Sequence, residues 1–79
     1  MRWDAAAVGD WFKGLGTDYA PYAAAAQKEN LRGPTLLISG PQTLRDLGVT
    51  RALHRTVIRS AINELREAAG LPTNMDLHE

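Results

Sequence analysis

The sequence predicts an all-α fold of five helices, with the longest at the C-terminal end. Three observations carry that expectation. Leu53, Val57, Ile58, Ala61, Ile62 and Leu65 recur at three-and-four spacing, as along one stripe of a helix. Glycine and proline punctuate the chain between apolar segments, and no stretch alternates with the two-residue rhythm of a strand.

Asp4 is placed to cap a first helix, in which the alanines favour helix and Val8, Trp11, Phe12 and Leu15 share a face; Gly14 and Gly16 end it. Thr17 and Asp18 offer a second cap. Pro21 fits only the first turn of a helix, where its missing N–H has no intrahelical partner to lose, so the second helix is expected to start near Asp18 and run through Tyr22 and Ala23 to Ala26 toward Asn30. Gly33-Pro34 opens a single turn carrying Leu36, Leu37 and Ile38, and Ser39-Gly40-Pro41 opens a fourth helix with Leu44 and Leu47 facing inward. Gly48 then stands where a helix takes a left-handed terminator, and Thr50 where a side-chain oxygen can cap the fifth helix. Gly70 and Pro72 stop that helix, and residues 73–79 lack apolar periodicity. The expected organisation is one domain over residues 1–69 and a flexible tail or linker over 70–79. Its core is expected to include Val8, Trp11, Leu15, Leu36, Leu37, Leu44, Leu47, Val57, Ile58, Ile62 and Leu65.

At 79 residues the chain is near the lower size at which a core sustains itself without disulfides or metal. It has no cysteine, which removes disulfide frameworks and thiolate zinc sites. It also lacks an apolar stretch long enough to span a bilayer and the basic-then-apolar start of a signal peptide. A cytoplasmic or nuclear location within a larger intracellular protein is therefore the expectation. His54, Ser60 and the scattered carboxylates show no nucleophile–base spacing, phosphate loop or paired histidines, so no catalytic, cofactor or metal site is expected.

The zero formal net charge argues against general nucleic-acid affinity, so any electrostatic recognition must come from how charges are distributed. Arg51, Arg55 and Arg59 stand four apart on the fifth helix, and no acidic residue occurs between Asp46 and Glu64. Like charges at that spacing repel, and the first two lie near the positive end of the helix dipole. The row is therefore expected to face solvent or a partner. His54, in the first turn, reads as a partly buried packing residue rather than a pH-sensitive contact.

Taken in order, Val8 with Trp11-Phe12, Tyr19 or Tyr22, Leu31-Arg32-Gly33 followed by Leu36-Leu37, and Leu47-Gly48-Val49-Thr50 with His54-Arg55 resemble the sterile alpha motif (SAM) domain, from Trp3 to Glu67. The resemblance implies a five-helix SAM-like bundle. It also implies a protein–protein interaction module mediating self-association, including head-to-tail polymerisation in which the end-helix surface of one copy docks on the mid-loop surface of another. Such a heterologous contact extends into a filament. Carried over by position, Arg51, Leu53, His54, Arg55 and Arg59 would form the end-helix side. Glu29, Gln42 and Asp46, with the exposed part of residues 33–42, would form the mid-loop side. Another SAM domain or an unrelated protein is the alternative partner. Some SAM domains bind RNA hairpins at this end of the fifth helix, and Lys28 would add charge there, but the zero net charge and the lack of interleaved aromatics argue against it. A passive domain within a larger protein is the remaining reading.

The chain departs from the family pattern at four places. Leu53 stands where glycine usually precedes His-Arg, as an apolar anchor or as an inward-pointing residue, and Thr43 stands where many polymerising members carry an acidic residue. Ala23 or Ala26 replaces a phenylalanine, and the tyrosine-to-Gly33 spacing is longer than usual. An added turn before the second helix is expected, with a core there that is thin or filled by Tyr19, Tyr22 and Trp11.

Overall fold

Asp4 begins the first helix as expected. Its Oδ1 accepts the N–H of Ala7 at 2.9 Å, and α1 runs Ala5–Gly14. The computed structural model describes residues 2–71, so the expected tail lies, beyond Leu71, outside the described residues. Among the described residues there are five α-helices and no strand, which is the all-α class the sequence predicts. The chain divides into two compact units, Met1–Leu36 and Leu37–Glu79.

In the first unit a 3-10 turn, Thr17–Tyr19, follows α1 and leads directly into α2, Ala20–Lys28. A turn thus stands in front of the second helix, where an added turn was expected. Neither Thr17 nor Asp18 caps α2; Tyr19 occupies the cap position without a side-chain bond. The reason is Pro21, which sits at one of the positions whose N–H a capping side chain would otherwise bind. The helix ends two residues before Asn30, because Asn30 turns left-handed at φ 53°. Asn30 N–H then reaches Gln27 O at 3.1 Å and Leu31 N–H reaches Ala26 O at 2.8 Å, the paired bonds of a Schellman end.

α1 and α2 pack against each other. Val8 and Phe12 are buried from one side, Ala23 and Ala26 from the other, and Gly9 is buried facing Gln27 of α2. A β-carbon at Gly9 would sit 2.6 Å from Gln27 Nε2. The small core there is flanked by aromatic edges. The Trp11 and Phe12 ring centres lie 4.9 Å apart, Phe12 and Tyr22 6.4 Å, and Tyr22 and Tyr19 6.0 Å, all edge-on. Trp11 and Leu15 are only half-buried, so the centre of the face passes through Val8 and Phe12. The N–H of Gly33 bonds the carbonyl of Trp3 at 3.0 Å, which ties the start of the chain to the start of α3, Gly33–Leu37.

In the second unit, α4 is Pro41–Leu47 and α5 is Ala52–Ala68. Gly48 takes φ 107°, the left-handed conformation expected of it. Its N–H bonds Arg45 O at 3.0 Å, and the N–H of Val49 bonds Leu44 O at 2.9 Å. Both Leu44 and Val49 are fully buried, as the flanking apolar pair of a Schellman end usually is. The expected cap at Thr50 is not made. Arg51 is the N-cap residue of α5, in extended conformation and without a side-chain capping bond. α5 closes the same way as α2 and α4, with Gly70 at φ 75° and the N–H of Leu71 on Arg66 O at 2.8 Å.

Of the expected core, Val8, Leu36, Leu37, Leu44, Ile58 and Ile62 are buried, while Trp11, Leu15, Leu47 and Leu65 are half-buried. Val57 is a correction: it is exposed. Phe12, Ala23, Ala26, Leu31 and Val49 complete the buried apolar set.

Candidate interaction surface

The inward face of α5 is not the stripe that the sequence suggested. Its buried residues are His54, Arg55, Ile58, Arg59 and Ile62. At 3.6 residues per turn, the nine positions from Leu53 to Ile62 amount to about two and a half turns, so the two point to opposite sides of the helix. Ile62 takes the inside, and Leu53 is left 68% exposed. Val57, one turn on from Leu53 along the same side, is 38% exposed.

The arginine row is the second correction. Arg55 is 5% exposed and Arg59 3%, and His54 is buried beside them, so none of these three presents a free surface. Arg55 goes inside because a backbone acceptor waits for it: Arg55 Nη1 donates to the buried carbonyl of Val49 at 2.9 Å. With its N–H on Leu44 and its carbonyl on Arg55, Val49 has both polar groups satisfied, as a buried residue requires. Arg66, eleven positions on and therefore on nearly the same side of the helix, repeats the device by donating from Nη1 to Leu37 O at 2.8 Å. In both arginines the charged head reaches a backbone carbonyl.

Of the five residues expected on the end-helix side, Arg51 and Leu53 are exposed, and Val57 joins them. The start of α5 thus carries an apolar pair one turn long beside a single cation. Among the mid-loop candidates, Gln42 and Asp46 are exposed on one side of α4, where Gln42 Nε2 donates to Asp46 Oδ1 at 3.0 Å. That bond fixes the carboxylate in place and leaves Oδ2 available as an acceptor. Glu29 is exposed just past α2, in the first unit, and Thr43 is exposed on α4. Ile38, in the turn after α3, is 74% exposed, and its apolar character gave no warning of that.

Among the described residues no group of three or more histidines and carboxylates is placed to hold a metal ion, and no helix is long and apolar enough to cross a membrane. What the geometry offers is surface: exposed aliphatic side chains at the start of α5, and a carboxylate held by its own helix.

The sequence model of the SAM domain (sterile alpha motif) matches residues 2–66 of the chain, which takes in both units and ends within α5.

Proposed function

The chain belongs to the sterile alpha motif family, whose members are protein-interaction modules rather than enzymes, and from that premise we propose that it self-associates through the start of α5. Leu53 and Val57 of one copy form the apolar anchor, with Arg51 at the rim. The docking surface on the next copy includes Gln42 and Asp46 on α4, and the Asp46 carboxylate meets Arg51. Because the two surfaces differ, the contact is heterologous and repeats from copy to copy.

The observation that carries this reading is the exposure of Leu53 at 68% on a helix whose opposite side is buried. An exposed leucine alone is ordinary, but Leu53 and Val57 are neighbours on one side of a helix whose N-terminus is anchored from within through Arg55. A pre-ordered apolar pair loses little freedom on binding. Arg55 contributes by holding the helix, not by touching the partner, and Arg59 is buried beside it. Their burial also removes most of the charge on which RNA binding would have depended.

A second protein partner is favoured by one residue. Leu53 fills the place where the family usually has glycine, so it blocks close backbone approach and calls instead for a recess in the partner. Sedimentation across a concentration series separates the two. Self-association predicts that the wild-type chain assembles and that Leu53→Asp, a change at an exposed position, stays monomeric with an unaltered melting temperature. Asp46→Lys weakens the same assembly from the other side. A wild-type chain that is monomeric at millimolar concentration would remove self-association and leave the different partner.

A further inference from the structure

In the first unit, Arg2, Trp3, Asp4, Arg32 and Pro34 line an open recess of about 230 Å³. Two residues thirty positions apart, Arg2 and Arg32, flank it because the bond from Gly33 N–H to Trp3 O clips the start of the chain to the start of α3. Among the described residues neither guanidinium makes a hydrogen bond or ion pair, and both side chains are exposed. The only carboxylate in the lining is Asp4, whose Oδ1 already accepts the Ala7 N–H. Two cations against one anion leave the recess with a net charge of +1.

We propose that this recess binds an acidic peptide segment of a partner protein, taking one carboxylate between Arg2 and Arg32 and the neighbouring apolar side chain on Trp3 and Pro34. It uses no residue of α5 and stands independently of the self-association surface. The guanidiniums present planar, forked donors that suit a carboxylate or a phosphate alike, and two further features select a peptide over a simple anion. The Trp3 ring and the Pro34 ring offer an apolar floor, which an inorganic ion cannot use. Asp4 keeps one oxygen as an acceptor, and a peptide brings backbone N–H donors to meet it, whereas an inorganic phosphate would meet a like charge there. The volume lies below the few hundred Å³ of a whole-cofactor site, and suits one or two side chains.

The test is an NMR titration of the 79-residue chain with the peptide acetyl-Leu-Asp-Glu-Leu-amide, following the Trp3 indole N–H and the Nε–H signals of Arg2 and Arg32. Saturable shifts at these signals are expected. The peptide with Asn and Gln in place of Asp and Glu should leave them unmoved. Arg32→Glu and, separately, Arg2→Glu should each weaken binding by about tenfold or more, the effect of losing a charge-assisted pair, with the melting temperature unchanged. The proposal is overturned if the signals do not move, if the neutral peptide moves them equally, or if inorganic phosphate alone moves them as strongly as the acidic peptide. Should one variant fail to fold, the other and the neutral-peptide comparison on the wild-type chain still decide.

Discussion

Replacing Arg55 with methionine isolates what the buried guanidinium contributes. Methionine keeps an unbranched apolar stem of similar reach, so the packing along the inner side of α5 is largely retained. What is lost includes the bond from Arg55 Nη1 to Val49 O, 2.9 Å long and buried. A hydrogen bond from a charged donor contributes about 1.5–3 kcal/mol, and the carbonyl left behind, with no water to replace the donor, costs about 1–3 kcal/mol when orphaned. These overlap, since both count the desolvated carbonyl, so a combined loss of about 2–4 kcal/mol is expected. For a domain of this size each kcal/mol moves the melting temperature by about 4–8 °C, so even the lower figure predicts a drop of about 8–16 °C. Far-UV circular dichroism during heating and in urea measures it. Arg51→Met is the internal control: Arg51 is exposed, and its loss should stay within about 0.5 kcal/mol. Equal melting temperatures for the two variants would refute the structural role of Arg55. The same geometry makes Arg55→Glu useless as a surface probe, because it would turn a buried carboxylate toward a carbonyl oxygen.

Gly48→Ala should cost about 1–2 kcal/mol although a β-carbon there would meet nothing within 4 Å, because the penalty comes from φ 107° and not from crowding. Gly9→Ala is its converse: the nearest atom is the mobile end of an exposed glutamine, helix propensity favours alanine, and urea titration should show stability unchanged or raised by up to about 1 kcal/mol. Ile62→Ala, at a fully buried position on the inner side of α5, should lose about 2–5 kcal/mol in the same titration, enough to unfold a domain of this size.

Much of this architecture was legible in the sequence, for local reasons. Asp4, Gly48, Gly70 and the two Gly-Pro pairs act within a few residues of themselves, and each marks its boundary where the structure has it. The long helix was legible as a helix but not as to which side faces in. Spacings of three and four each drift from a full turn, and over the nine steps from Leu53 to Ile62 the drift reaches half a turn. An apolar count sees both as one stripe. The burial of Arg55 and Arg66 was hidden for another reason. Their acceptors are the carbonyls of Val49 and Leu37, six and twenty-nine residues away, and backbone carbonyls have no sequence signature. Likewise the run Ala23 to Ala26 reads as uniform helix former, yet Ala23 and Ala26 are fully buried while Ala24 is exposed. Only packing against α1 distinguishes them. Asn30 was read as the far end of a helix, although asparagine is, after glycine, the residue that most often turns left-handed at a helix end, and that signal was there to be used.

The row of aromatic edges beside α1 and α2 has an optical consequence. All five aromatic residues, Trp3, Trp11, Phe12, Tyr19 and Tyr22, fall in the first unit, and residues 37–71 contain none. Tryptophan emission and near-ultraviolet dichroism therefore arise from residues of the first unit, while the peptide signal near 222 nm, the usual helix band, sums helices from both. Recording the two together during one denaturant titration turns the distribution of chromophores into a cooperativity measurement. Arg55→Met sharpens it, since the lesion sits in the unit without chromophores: if tryptophan emission shifts its midpoint as far as the helix signal does, the two units unfold as one, and if it stays at the wild-type midpoint, each has a stability of its own.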